Sequence, residues 1–414
     1  MLFNLENVPP VPIPNGMTEK GLSVMEKKLP RRSFFLTTAA AGGALATGVN
    51  KADAQPEMKS SSNELIRVGA IALGDNSHLN YSIWAPIFNP VEPDQWPGRS
   101  TRMVISHVWD SRPTVAEAFA KKYSCETVKN YDDMIGKVDG MLFAGFNESP
   151  WWPQLTRPYL EAGIPCVINR PFALSMREAY EMIERSQKYN APIMAIDGRE
   201  YIKEVSLARH KVAEIIRAGK SIIGVNSDNS SGYEYPQHGI HGLNFLAAIL
   251  GCDVERVSLQ ADGWWRESLP GIARKMNWGI LSLQYKGITI DDGVVQKKPF
   301  VAVQQQLTGF GSNGNIRLYY NGGWDDIDNH WAVGEPMNRL YYYFFPSILQ
   351  IQKFFETRKM PRDYDFILKK TKLFLAGFKS HLEHDGAMIL VDDLPDDWEA
   401  PTPYPNWIDE SIFT

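Results

Sequence analysis

Two hydrophobic periodicities alternate along the first half of the chain. Strand candidates fall at LIRVGAIALG (65–74), TRMVISHVWD (101–110), 140–146, AGIPCVI (162–168) and APIMAID (191–197), most of them apolar-rich in the manner of strands buried on both faces. Between them lie segments with apolar residues at helical spacing: TVAEAFAKKY, the stretch after NESPWWPQ, and a helix from about Ser175. Ser175 followed three residues later by Glu178 is a capping-box pattern. The alternation of strand and helix predicts an α/β doubly wound sheet of the Rossmann kind. Such sheets bind ligands at the carboxyl ends of their strands. That singles out Gly74, Asp110, the stretch 147–152 and the loop Asn169-Arg170-Pro171.

The second half changes texture. GREYIKEVSLARHKVAEIIRAGK reads as one long helix stopped by Gly219, followed by a strand SIIGVNSDN. A polar cluster, SSGYEYPQHGIHG, then leads into a helix with Leu243, Leu246, Ala247 and Leu250 on one period. Beyond Gly251, strand-like alternation broken by Gly-rich turns predicts an α+β domain with an open, largely antiparallel sheet. Two helical segments and a Pro-rich tail close the chain. The domains expected are an export signal with its N-terminal extension (1–54), a linker (55–63), the Rossmann domain (64–198), the second α/β domain (199–390) and the tail (391–414).

Composition narrows the class. With 414 residues, 44% hydrophobic and 22% charged, the chain suits two globular domains. A net charge of −5 without a basic tract argues against a nucleic-acid partner. Cys125, Cys166 and Cys252 lack metal-ligand spacing. Arg31-Arg32, a mild Ala-rich run and the ADA exit at 52–54 resemble a twin-arginine export signal. They predict a periplasmic or otherwise exported protein with the twin-arginine machinery as a partner. The weakly apolar run does not suit a membrane span.

Candidate chemistry follows from these placements. Ala72, Gly74 and Ser77 stand at the three glycine places of a dinucleotide fingerprint, with Asn76 between them. Gly74 allows close backbone approach to a pyrophosphate. Asp110 suits ribose hydroxyls and Arg112 a 2′-phosphate, so NAD and NADP both remain open. Asn147 and Arg170 sit on the same rim. His238 and His241 open a helix, where the positive end lowers an imidazole pKa, and either suits acid–base work. Tyr233 and Tyr235 add phenol donors. The H-x-x-H spacing has no third ligand, so a metal is not expected. Trp151, Trp152, Trp264, Trp265 and Trp278 are candidate sugar-stacking surfaces.

From residue 65 to 382 the chain resembles the Gfo/Idh/MocA family of glucose–fructose oxidoreductases and inositol dehydrogenases. The resemblance implies a hydride transfer between a sugar, polyol or glycoside and a nicotinamide, NAD or NADP. The family's E-K-P motif falls on Asn169, Arg170 and Pro171, and its D-x-G-x-H motif on Gln237 to His241. His241 then matches the catalytic histidine, Gln237 replaces a substrate-orienting Asp, and Asn244 replaces a second frequent Asp. Arg170 keeps the positive charge but is a poor proton donor. In another register, YPQHG resembles NAD-dependent glycoside hydrolases, which would make His238 the key histidine. The resemblance thus implies a sugar oxidoreductase, with a redox-neutral glycoside hydrolase or lyase, or an inactive sugar-binding protein, as alternatives. A tightly held nicotinamide suits an exported enzyme, and the open sheet implies a homo-oligomer.

Overall fold

A computed structural model describes residues 64–74, 77, 79, 84–89, 101–145, 148–229, 240–261, 278–290, 293–307, 315–327, 336–401 and 410–413. All of them lie in one unit, Lys59–Thr414. The export-signal and linker residues fall outside the described residues.

The first sheet is built from β1 (Ile66–Ile71), α1 (Trp84–Phe88), β2 (Met103–Trp109), α2 (Pro113–Tyr123), β3 (Glu126–Thr127), β4 (Gly140–Phe143), α3 (Trp152–Glu161), β5 (Cys166–Asn169), α4 (Met176–Lys188) and β6 (Ile193–Ile196). Its strand order is β3-β2-β1-β4-β5-β6, and every pairing is parallel. The order reverses between β1 and β4, which places the topological switch point, and so the binding crevice, at the carboxyl ends of those strands. β4, β5 and β6 are buried at every position, as their apolar-rich runs require. Two local differences from the sequence reading have simple causes. β4 ends at Phe143 instead of 146, because Gly145 leaves the ladder to bridge Ser77. The expected long helix after Asp197 begins as a 3-10 turn, Gly198–Tyr201, because the Asp197 carboxylate caps the Arg199 N–H.

The capping box at α4 forms: Ser175 Oγ accepts from Glu178 N at 3.2 Å. The Glu178 carboxylate reaches back to Leu174 N at 3.1 Å. Such a cap contributes about 1 kcal/mol, and here it fixes the helix directly after the Arg170 loop. The Arg170–Pro171 peptide is cis.

The second part comprises α5 (Lys203–Arg217), β7 (Ile222–Asn229), α6 (Ile240–Leu250), β8 (Val254–Ala261), β9 (Trp278–Tyr285), β10 (Ile288–Ile290), β11 (Val294–Gln296), β12 (Phe300–Leu307), β13 (Ile316–Tyr320), β14 (Gly323–Ile327), α7 (Pro336–Thr357), α8 (Tyr364–Glu383) and β15 (Ile389–Leu390). Seven strands form a sheet in the order β14-β13-β7-β12-β9-β8-β15, with β10 and β11 as a separate hairpin. Only β7–β12 is parallel among the pairings described. α6 is buried along its whole length, packed against β7 and β12 of this sheet and against α5 and α8. Trp324 and Val301 stand on the other face of the sheet and are exposed. No helix among the described residues is long and apolar enough to cross a membrane.

The tail returns to the first sheet. Ala400 N donates to Leu174 O at 2.8 Å and Arg177 N to Asp396 O at 2.9 Å. Phe413 then packs edge-on against Tyr131 (5.4 Å), which packs against Trp109 (6.0 Å).

Candidate active site

Three elements deliver one buried polar cluster. Asn169 at the end of β5 lies beside Ile196 at the end of β6, so the next residues, Arg170 and Asp197, emerge as neighbours. The first turn of α6 supplies His241, and Asn244 follows three residues on, on the same helix face. The Arg170 guanidinium donates from Nη2 to His241 Nε2 at 2.8 Å. On its other side, His241 Nδ1 lies 2.6 Å from Asp197 Oδ2. Asn244 Nδ2 donates to the same oxygen at 2.7 Å, and Arg199 N to Asp197 Oδ1 at 2.9 Å. Arg170 Nε is 3.7 Å from Asp197 Oδ2. Arg170 and His241 are only 4% and 5% exposed.

The electrostatics follow from these contacts. Burial works against an ionised Asp197, but the imidazole contact, Arg170 and the Arg199 N–H outweigh it and hold the carboxyl well below the usual range. Burial, then the Arg170 charge, push the His241 pKa down to about 3, with Asp197 pulling the other way. His241 is therefore neutral at physiological pH. A carboxylate accepts only, so Nδ1 carries the proton and Nε2 keeps its lone pair, which faces Arg170. The cluster thus holds a neutral imidazole in a fixed tautomer, with a cation over its unprotonated nitrogen.

A second buried pair lies alongside. Lys370 of α8 donates to the Glu200 carboxylate. Burial pushes the Glu200 pKa up, Lys370 opposes it, and Asp197 adds to the rise.

The rim of the switch point fits a dinucleotide. Ala72, at the first glycine place, adopts the left-handed conformation (φ 66°) that a glycine would hold there. The Arg112 guanidinium lies directly over Gly74: a Cβ there would come 2.0 Å from Arg112 Nη2, and Arg112 would have to move aside. Asp110 is buried, and both its oxygens accept: Oδ2 from Leu73 N (2.8 Å) and Oδ1 from Arg112 Nε (2.9 Å). It thus ties the loop after β1 to Arg112, whose side chain is 33% exposed and presents the positive charge outward.

Among the predicted residues, the structure brings together Arg170 and His241, and separately Gly74, Asp110 and Arg112. Asn76, Asn147, Tyr233, Tyr235, Gln237 and His238 lie outside the described residues. Trp152 corrects an expectation: it is 0% exposed, packed edge-on against Phe143 at 5.7 Å, and offers no face to a sugar ring. Trp151 is likewise buried. The sequence reading missed Asp197, although its place after β6 met the same strand-end criterion that found Arg170. It also missed the Glu200–Lys370 pair, whose members are 170 positions apart.

Comparison with known proteins agrees with this fold. Residues 89–196 match the GFO_IDH_MocA family, described as an oxidoreductase family with an NAD-binding Rossmann fold. No curated protein sequence matches the chain. Among solved structures, scyllo-inositol dehydrogenase from Lactobacillus casei, with bound NAD(H) and scyllo-inositol, is 14% identical with a TM-score of 0.59, covering 80% of this chain and 100% of that one. Myo-inositol 2-dehydrogenase from Lactobacillus plantarum is 16% identical with a TM-score of 0.59, covering 79% and 99%. An oxidoreductase from Agrobacterium radiobacter, in complex with NAD+, L-tartaric acid and magnesium, is 12% identical with a TM-score of 0.57, covering 79% and 98%. The segment match and these likenesses define a Gfo/Idh/MocA-like Rossmann fold, with a second domain arranged as in those dehydrogenases.

Proposed function

We propose that the chain is an NAD(P)-dependent oxidoreductase acting on a hydroxyl of a sugar or polyol, with His241 as the base. The observation that carries this reading is the Arg170–His241–Asp197 cluster at the carboxyl edge of a parallel sheet whose switch point fits a dinucleotide. The nicotinamide, when bound, accepts or returns the hydride. The protein's own groups handle the proton. Asp197 holds His241 in the tautomer that leaves Nε2 basic. The substrate hydroxyl takes the place of the Arg170 N–H at Nε2 and gives up its proton there. Displacing Arg170 from that nitrogen also raises its basicity. The guanidinium, with its charge fixed at all working pH values, then faces the developing alkoxide and stabilises it. Gly74 and Arg112 would hold the phosphates and the ribose end.

The finer readings rest on further observations. Retention of the cofactor is supported by the tail, which bonds to the segment after Arg170 at Leu174 and packs Phe413 beside Trp109 and Tyr131. A homo-oligomer through the open sheet is supported by exposed Trp324 and Val301. Export through the twin-arginine pathway rests on Arg31-Arg32, the Ala-rich run after them and the ADA exit at 52–54, and Lys at both arginine positions is expected to leave the protein in the cytoplasm. The activity is tested by following reduction of NAD+ and NADP+ with a panel of polyols and aldoses. Turnover in the wild type that falls about 10³-fold or more in His241→Ala is expected. Sugar release from glycosides without net reduction would move the chain to the redox-neutral alternative. Equal turnover in the variant would remove His241 from the chemistry.

A further inference from the structure

Beneath the cluster lies a cavity of about 20 Å³ between the ends of β5 and β6 and the helices α6 and α8. Among the described residues its polar lining comes from Asn169, Arg170, Asn244, Lys370 and Thr371, with no carboxylate. The two asparagines are each 1% exposed. Each has its amide nitrogen engaged: Asn169 Nδ2 donates to Ala144 O at 3.0 Å, and Asn244 Nδ2 to Asp197. Each also has a carbonyl oxygen, Oδ1, with no hydrogen-bond partner among the described residues. Two buried acceptors left in this state would each cost about 1–3 kcal/mol, and native proteins satisfy nearly all such groups. The cavity is large enough for one water, which needs about 10–15 Å³ and two to four polar partners.

We propose that this cavity is a site for one buried water molecule, and that the water couples the Lys370–Glu200 pair to the Arg170–His241–Asp197 cluster. The hydrogen-bond count closes. Water has two hydrogens for Asn169 Oδ1 and Asn244 Oδ1, and two lone pairs for N–H groups of Arg170 and Lys370. Asn244 is the link: its oxygen is held by the water and its nitrogen holds Asp197, which fixes the His241 tautomer. Lys370 is thereby a positioning residue for the proton-handling cluster, although it comes from α8 and touches neither His241 nor Asp197 in any hydrogen bond described. Its partner Glu200 keeps the second cation near the site electrically balanced.

The inference stands apart from the oxidoreductase reading, because neither of its readouts needs a nucleotide or a substrate. A high-resolution crystal structure of the full chain is expected to show one ordered water bonded to Asn169, Asn244, Arg170 and Lys370. A dry cavity, or a water that reaches neither asparagine oxygen, overturns the site. The coupling is read from solvent exchange of the His241 Nδ1 proton by NMR. In Lys370→Met with Glu200→Gln, which leaves no buried carboxylate unpaired, exchange is expected to accelerate about tenfold, the response to losing one hydrogen bond of ordinary strength. In Lys370→Gln with Glu200→Gln an N–H donor remains for the water, and exchange is expected to stay within about twofold of wild type. Equal exchange in both double variants overturns the coupling. So does a loss of protection in the glutamine pair as large as in the methionine pair, which would mark a general loosening of the core.

Discussion

Replacing Asp197 by Asn changes one oxygen to an amide nitrogen and removes the charge at the centre of the cluster. In the wild type its carboxylate accepts from His241 Nδ1, Asn244 Nδ2 and Arg199 N at 2.6, 2.7 and 2.9 Å, with Arg170 Nε at 3.7 Å. An asparagine has one acceptor oxygen. If that oxygen keeps His241 and Asn244, its NH2 faces the Arg199 N–H. In the other orientation it faces two donors. At least one donor–donor contact is therefore forced in a site with no exposed Asp197 side-chain surface. Breaking a buried ion pair from one side costs about 3–5 kcal/mol, and a lost hydrogen bond to a charged group about 1.5–3 kcal/mol. The expected loss is thus about 3–5 kcal/mol, measured as the shift in urea midpoint at pH 7.5 with the m-value unchanged. His241 also loses its tautomer lock, so any dehydrogenase turnover should fall further than nucleotide affinity. A destabilisation below about 1 kcal/mol, the scale of an exposed pair, would refute the picture of a dry, fully engaged carboxylate.

Three further outcomes are expected. The folded-state pKa of His241 lies below its unfolded value, so the unfolded chain takes up the proton first as pH falls. Stability should drop from pH 6.5 toward 3, by about 2 kcal/mol at pH 5, and His241→Asn should remove that part of the slope; an unchanged slope in urea titrations across this window would contradict it. Ala72 holds φ 66°, so Ala72→Gly exchanges strain for chain entropy and should stay within about 1 kcal/mol of wild type, whereas Ala72→Val should cost about 1–3 kcal/mol by the same measure. Arg170→Lys keeps a cation over His241 and should leave nucleotide affinity within about threefold by calorimetry; complete loss of binding would place Arg170 on the nucleotide instead.

Much of the fold was legible because its strands are buried on both faces. Strands such as β4, β5 and β6 show as apolar-rich runs, and their order along the chain fixes the parallel sheet. β3 was not legible: two exposed residues, Glu126 and Thr127, carry no apolar signal and pair only because β2 offers an edge. Arg170 was legible by position, since it follows a buried strand that must end at the ligand edge. Asp197 carried the same signal, but its role depends on α6 bringing His241 within 2.6 Å, which no local pattern encodes. Trp152 was misread because an aromatic at a strand-end loop looks like a platform, while the helix it starts turns the ring into the core. Asp110 was legible as a strand-end carboxylate, while its bonds to Leu73 N and Arg112 depend on how the loop after β1 folds back over the strand end. Lys370 and Glu200 meet only through the packing of α8 against β8, α4 and α6, which no local pattern encodes.

The chemistry proposed for His241 requires a nicotinamide nucleotide at the carboxyl edge of the first sheet. The most direct measurement is made on the full chain. Small molecules released on denaturation are identified by mass spectrometry, and the emptied protein is titrated with NADH and NADPH by calorimetry. A co-purified nicotinamide nucleotide, or saturable binding of at least one of the two, is expected, weakened when a side chain is introduced at Gly74. Protein that releases no nucleotide and binds neither NADH nor NADPH would contradict that chemistry.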